Sequence, residues 1–133
     1  MTENLTTHAF RLTPGQDLRK GIQEAVNSNN IKAGWIMSGV GSLTHYHLRF
    51  ANRSEGCIGI GHFEIVSITG TVSINGCHIH LCVSDANGDV VGGHLQEGCT
   101  VYTTAEIVLA ATDKYVFSRE QDVNTGWKEL QVK

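Results

Sequence analysis

A chain of 133 residues with 41% hydrophobic and 17% charged residues can bury one core, and it is too apolar for an intrinsically disordered protein. Its formal net charge is only −3, and its lysines and arginines form no cluster along the sequence, which argues against a nucleic-acid-binding protein. No apolar run has the length of a signal peptide or a membrane span, and the cysteines form no CxxC pair. We therefore expect one cytoplasmic domain over residues 1–133, with reduced thiols and no membrane contact.

The first predicted elements are a strand over Thr7–Leu12 and the only helix. Residues 13–16, with the sequence Thr-Pro-Gly-Gln, fit a capping box that starts a helix. The apolar residues that follow share one helical face: Leu18, Ile22, Ala25 and Val26. Asn29-Asn30 is expected to end the helix.

The rest of the chain is predicted to be mostly strands, so the fold class is α+β, with a mainly antiparallel β-sheet and one N-terminal helix. The expected strands are Ala33–Val40, Leu43–Ala51, His62–Ile74, Cys77–Ser84, Val90–Leu95, Thr100–Ala111 and Tyr115–Arg119. Arg53–Gly61 is expected to be a loop. The domain core then covers about residues 6–119, and the polar tail, residues 120–133, packs either on its own domain or on a neighbouring subunit.

Two hairpins decide where three of the histidines lie. Asn75-Gly76 is the strongest hairpin signal, because a two-residue type I′ turn requires positive φ at both central residues. That turn would pair Ser73 with His78 and Thr71 with His80. One face of the hairpin is then apolar, and the other carries both histidines among serines and threonines.

The second hairpin allows two registers. A two-residue turn at Asn87-Gly88 would place His94 on the core side. A three-residue loop over Ala86–Gly88 would instead pair His94 with His80 and keep the core face apolar. We favour the three-residue loop, which places His78, His80 and His94 on one face of the sheet.

Three imidazoles on one face are typical of a zinc site with an open fourth position. The alternative is a polar sheet face whose histidines bond to neighbouring hydroxyl groups or to water. Glu106, on the strand after the cluster, is a candidate second-layer carboxylate or general base. A solvent-facing strand residue is the alternative for Glu106.

Five short motifs, in this order, resemble the PPC domain, the "plants and prokaryotes conserved" domain. They are Gly61-His62-Phe63-Glu64-Ile65-Val66, His78-Ile79-His80-Leu81, Gly92-Gly93-His94-Leu95, Glu97-Gly98 and Thr104-Ala105-Glu106. Their order and spacing match from the helix to the last strand. The resemblance implies a compact α+β domain that assembles as a homotrimer. It also implies a fold similar to that of acetolactate decarboxylase, a three-histidine zinc enzyme.

The resemblance implies roles for individual residues as well. His78, His80 and His94 correspond to the histidines that hold zinc in some stand-alone prokaryotic members. The stretch from Gly61 to Val66 resembles the partner-contacting motif of the family, with His62 where plant members have arginine. The chain lacks the Arg-Gly-Arg-Pro core of an AT-hook, so a DNA-associated role would come from the family label alone.

Three hypotheses follow for the function. The leading one is a homotrimeric binding or regulatory module with a three-histidine zinc site and an undefined ligand, for which a small molecule is one option. The second is a zinc enzyme that acts on a small carboxylate-type substrate through metal-bound water, with Glu106 as the candidate base. In the third, the histidines are purely structural and the sheet face is buried between subunits.

Overall fold

The computed structural model describes residues 4–133, which contain one helix and eight strands. The elements in chain order are β1 (Leu5–Leu12), α1 (Leu18–Ser28), β2 (Gly34–Arg49), β3 (Gly56–Val72), β4 (His78–Ser84), β5 (Val90–Leu95), β6 (Val101–Thr112), β7 (Phe117–Gln121) and β8 (Lys128–Val132). The predicted α+β class is confirmed. In this part of the chain, no helix has the length and apolarity needed to cross a membrane.

Six strands form one antiparallel sheet in the order β1-β6-β2-β3-β4-β5, and β7 and β8 form a separate hairpin. The long strand β2 pairs with β6 and β3 and, at its end, also with β5. Strands β2 to β5 therefore close on themselves into a small barrel-like unit. This closure places Arg49 of β2 directly opposite His94 of β5.

One hydrophobic core lies between α1 and the apolar faces of the strands. The helix contributes Leu18, Ile22 and Val26, which are fully buried. The largest fully buried side chains of the sheet are Leu43, Leu48, Leu81, Leu95, Ile107 and Leu109. Burial of such a side chain contributes roughly 1.5–3 kcal/mol, so these residues fix the face that each strand turns inward.

The predicted capping box at residues 13–16 is wrong as the start of the helix. Thr13 and Gln16 do bond to each other, with the Thr13 amide donating to Gln16 Oε1 at 2.7 Å, but they close a turn ahead of the helix. Asp17 is the N-cap, and its carboxylate accepts a hydrogen bond from the Lys20 amide at 2.9 Å. The predicted end is confirmed, because the helix stops at Ser28.

The two strands predicted over Ala33–Val40 and Leu43–Ala51 form one continuous strand, β2. Its pairing with β6 shifts register between Gly41 and Leu43, and its pairing with β3 shifts between Leu43 and His45. These irregularities lie between the two predicted strands, where they bend the chain while it stays in the sheet.

The predicted loop Arg53–Gly61 is partly a strand, because β3 begins at Gly56 and pairs with the end of β2. Glycine is required at position 59 of β3, because the aromatic ring of Tyr46 on β2 lies against the backbone there. A Cβ on Gly59 would lie 2.1 Å from Cε2 of Tyr46. A glycine-rich segment therefore resembles a loop in sequence although its backbone belongs to the sheet.

The tail docks on its own chain, one of the two alternatives that the sequence leaves open. It returns as β8, which pairs with β7 along its whole length. The start of β7 is tied to the body of the protein, since the Phe117 amide donates to the Lys32 carbonyl at 2.8 Å. The Ser73 hydroxyl lies 3.0 Å from the Phe117 carbonyl oxygen. These bonds hold the β7–β8 hairpin against the end of β3.

Candidate metal centre

The register between β3 and β4 differs from the predicted one by two residues. His78 lies opposite Thr71 rather than Ser73, and His80 lies opposite Thr69 rather than Thr71. The reason is that Ser73 is buried outside the sheet, where its hydroxyl bonds to carbonyls of neighbouring segments. The connection consequently spans residues 73–77 rather than a two-residue turn. Because the shift is even, the side chains of the paired residues, including His78 and His80, keep their predicted face.

The register between β4 and β5 is the predicted one. His80 pairs with His94, and Val83 pairs with Val91. The three-residue loop is closed by Asp85, whose Oδ1 accepts hydrogen bonds from the amides of Asn87 and Asp89 at 2.8 and 3.0 Å. Gly88 in this loop has φ +83°, the left-handed conformation that the loop type requires.

The two registers together bring three imidazole rings to one point. The ring centroids of His78 lie 5.0 Å from those of both His80 and His94, and the His80 and His94 centroids are 5.9 Å apart. One nitrogen from each ring lies within 4.8 Å of the others. A tetrahedral zinc with bonds of 2.0–2.1 Å needs nitrogens about 3.4 Å apart, so small side-chain rotations would close the set around an ion.

The chemistry of the cluster also fits a cation. Nδ1 of His94 is buried and has no hydrogen-bond partner among the described residues, which leaves a lone pair or a proton without compensation. Burial, followed by the nearby His78, lowers the pKa of His94 to about 4. Burial likewise lowers the pKa of His78. Both rings are therefore neutral at pH 7, the form in which imidazole binds a metal.

The cluster lies in a cleft of about 440 Å³ between the sheet and the β7–β8 hairpin. The hairpin supplies Arg119, Trp127, Lys128 and Glu129 to its wall, and β2 supplies Arg49. The Arg49 guanidinium lies 4.9 Å from the centre of the Trp127 ring. Sequence reasoning missed these charges, because they are far apart along the chain and meet only through docking of the tail. The large Trp127 in a polar tail was the one available signal.

Glu106 lies on β6, opposite Arg11 of β1 and Val40 of β2. Its carboxylate accepts a hydrogen bond from the Thr104 hydroxyl at 3.1 Å, and the residue is exposed. It does not line the cleft that holds the three histidines. Within one chain the geometry thus corresponds to the solvent-facing alternative, and a catalytic role for Glu106 stays a prediction.

The stretch from Gly61 to Val66 lies in β3, and its side chains alternate between the two faces. Phe63 packs against the core and meets the Tyr46 ring edge-on at 5.0 Å. His62 points outward and lies 4.7 Å from the Tyr102 ring, and Val66 is 54% exposed. The outward half of this motif is therefore available for contacts with another protein chain.

Residues 1–113 match the family model of the Plants and Prokaryotes Conserved (PCC) domain. The three-histidine cleft and the antiparallel α+β fold thus occur in a chain that belongs to the PCC domain family, and the predicted resemblance is confirmed.

Solved structures share this fold over nearly the whole chain. A hypothetical protein from Salmonella cholerae-suis is 37% identical, with a TM-score of 0.95 over 100% of this chain and 96% of the other. The metal-containing protein AF0104 of Archaeoglobus fulgidus is 26% identical, with a TM-score of 0.82 over 95% and 93%. A plant- and prokaryote-conserved protein of Pyrococcus horikoshii is 26% identical, with a TM-score of 0.75 over 98% and 96%.

Related sequence also occurs within longer proteins. The bifunctional protein GlmU of Synechococcus sp. strain JA-3-3Ab is 42% identical over 131 residues, which cover 98% of this chain and 21% of GlmU. GlmU of strain JA-2-3B'a(2-13) is 41% identical over 129 residues, covering 97% and 20%. The chain thus spans about one fifth of the length of these relatives.

Proposed function

We propose that this protein is a homotrimeric small-molecule-binding module that holds one zinc ion per chain through His78, His80 and His94. The observation that carries the proposal is the convergence of three imidazole nitrogens within 4.8 Å on the wall of a cleft. The buried Nδ1 of His94 supports it, because this atom has no hydrogen-bond partner among the described residues and a metal ion bound at the cluster would interact favourably with the ring.

Zinc is favoured by the type and number of ligands. Imidazole suits zinc, copper, iron and nickel, whereas magnesium and calcium prefer oxygen ligands, and the cleft offers the ion little oxygen. Three protein ligands leave one position for a ligand from solution, and the bound ion would supply Lewis acidity there. The similarity to a metal-containing protein of Archaeoglobus fulgidus supports a metal site in this fold and does not identify the element.

The size and lining of the cleft favour binding of a small molecule. Its volume of about 440 Å³ lies within the usual range of ligand pockets. Glu129 is the one carboxylate of this lining, which otherwise carries the cationic side chains of Arg49, Arg119 and Lys128. The stretch of related sequence inside GlmU also supports a module that longer chains can contain.

The trimer is supported by apolar residues that β2 and β3 leave exposed. Five large side chains on these strands are more than half exposed: Met37, Val40, Ile58, Ile60 and Val66. Exposed apolar side chains on neighbouring strands are typical of an interface with another chain. The outward half of the motif from Gly61 to Val66 belongs to the same strand β3.

Metal analysis of protein purified without a histidine tag tests the zinc site. We expect close to one zinc per chain after loading and removal of free metal by dialysis. A content near zero after loading would refute the site. Copper, nickel or iron at one per chain in the purified protein would refute the choice of zinc and leave the ligands in place.

Sedimentation equilibrium tests the trimer. We expect three times the chain mass for the wild type and a smaller species for Ile60→Glu, because Ile60 is 76% exposed in one chain and would be covered in the trimer. Val123→Glu is the matched control, since Val123 is 95% exposed and lies in the turn of the β7–β8 hairpin. A monomeric wild type, or equal masses for wild type and Ile60→Glu, would contradict the proposed interface.

A further inference from the structure

We propose that the β7–β8 hairpin makes the cleft a binding site for small oxyanions, the class that comprises carboxylates and phosphates. The inference rests on the proposed metal site and adds the chemistry of the ligand. In this assignment the ligand's anionic group lies near the three histidines and meets the cationic side chains of Arg119 and Lys128. Arg49 contributes a third positive charge from the sheet.

The charge balance of the cleft carries this inference. Arg49, Arg119 and Lys128 line the same cavity as the three histidines, and Glu129 is the one acidic residue of the lining. A divalent ion bound by neutral imidazoles would add to this positive charge. Clefts lined by one sign of charge concentrate ligands of the opposite sign. A neutral or cationic ligand would gain nothing from such a lining.

The two guanidinium groups are also held in place before any ligand arrives. Nη2 of Arg119 donates to the Lys128 carbonyl at 2.7 Å, across the two strands of the hairpin. Nη1 of Arg49 donates to the Arg53 carbonyl at 3.1 Å, while the group lies against the Trp127 ring. A guanidinium has five N–H donors, so these bonds leave donors that can meet an oxyanion. Donors that are already positioned lose less entropy on binding.

The three histidines and the cationic residues of the hairpin lie in different parts of the sequence. The family model matches residues 1–113, which include the three histidines. Phe117–Gln121 and Lys128–Val132, the two strands of the hairpin, follow that region. A substitution in the hairpin can therefore change the cationic lining of the cleft without replacing one of the three histidines.

Titration of cobalt(II)-loaded protein with acetate, inorganic phosphate and acetamide tests the proposal. Visible absorption of the cobalt ion follows ligand binding, and acetamide matches acetate in shape without its charge. We expect acetate, phosphate or both to bind and acetamide not to bind at the same concentration. A response to acetate alone would identify carboxylates as the ligand class, and a response to phosphate alone would identify phosphates.

Four variants connect the response to the hairpin. Arg119→Gln is expected to weaken oxyanion binding about tenfold or more, and Lys128→Gln about threefold. Arg119→Lys keeps the positive charge, so it is expected to retain most of the oxyanion affinity that Arg119→Gln loses, provided that the hairpin still forms. Lys133→Gln is the matched control, because Lys133 follows the same hairpin without lining the cleft, and its ammonium group lies 3.8 Å from the Glu120 carboxylate.

The failure of this inference is distinguishable from failure of the metal site. If one cobalt binds per chain but acetamide binds as well as acetate, or if both glutamine variants keep full affinity, the oxyanion assignment is wrong and the metal site stands. If the wild type takes up no metal, the proposed function fails first, and the oxyanion site falls with it.

Discussion

Replacement of His80 by alanine separates a metal ligand from a structural histidine. His80 is exposed on β4, while its neighbours Ile79 and Leu81 are buried and hold the strand on the core. Loss of its ring leaves no cavity in the core. We therefore expect the free energy of unfolding of the metal-free variant to lie within about 0.5 kcal/mol of the wild type.

The effect on zinc binding is expected to be much larger. Structural zinc sites with four ligands bind with roughly 10–16 kcal/mol, so one ligand contributes about 3 kcal/mol and its loss weakens binding roughly a hundredfold. At free zinc a thousand times above the wild-type Kd, zinc stabilises the wild type by about 4 kcal/mol. At the same zinc concentration the His80→Ala variant would gain only about 1.4 kcal/mol.

Urea unfolding with buffered zinc and with chelator measures both quantities in one protein. His8→Ala is the matched control, because His8 lies on β1, at the far edge of the sheet from β4 and β5. It should retain the full stabilisation by zinc. The reasoning would be refuted by His80→Ala showing the wild-type gain with zinc. Loss of several kcal/mol in the metal-free variant would instead show that the ring supports the fold.

Three further outcomes follow from burial and register. Burial lowers the pKa of His94 from 6.5 to about 4 in the folded protein. As the pH falls below 6.5, the His94 imidazole therefore becomes protonated in the unfolded chain before it does in the folded one, and the metal-free protein should lose stability between pH 6.5 and 4. Urea titrations across this range should show a smaller loss for His94→Gln, and an equal loss would contradict the assignment. Leu81→Ala should cost about 2–5 kcal/mol in urea unfolding, since Leu81 is fully buried, and a cost below 1 kcal/mol would contradict the register of β4. Gly70→Ala should lower the melting temperature, because its Cβ would lie 2.2 Å from the His78 carbonyl oxygen, and an unchanged melting temperature would show that β3 and β4 are less tightly apposed.

Much of the site was predictable because a β-strand alternates strictly between two faces. The predicted position of His78 opposite Ser73 is wrong, yet its face is right, since the error is an even number of residues. The loop between β4 and β5 was the sensitive point, because a change of one residue there would turn His94 toward the core. The apolar pattern of Val83 and Val91 decided it correctly.

The remaining errors share a cause in tertiary contacts. Local sequence rules favour a tight Asn75-Gly76 turn, but the buried bonds of Ser73 to Lys32 and Phe117 favour a longer connection. Nothing near Ser73 in the sequence encodes those partners. The docking of the tail is equally non-local, because Arg49 and Trp127 meet only after β2 and the hairpin are in place.

The histidine cluster depends on local strand registers, whereas part of the cleft lining depends on the distant tail, so different substitutions affect the two. The histidine cluster depends on two backbone registers, that of β3 with β4 and that of β4 with β5. Two of the three positive charges of the cleft, Arg119 and Lys128, belong to the docked hairpin, and the third, Arg49, belongs to β2. A substitution at Arg119 or Lys128 would change the charge of the lining without disturbing any strand that carries a histidine. If both proposals hold, metal binding and ligand preference therefore depend on different residues of the chain, and substitutions at Arg119 or Lys128 should change the second without the first.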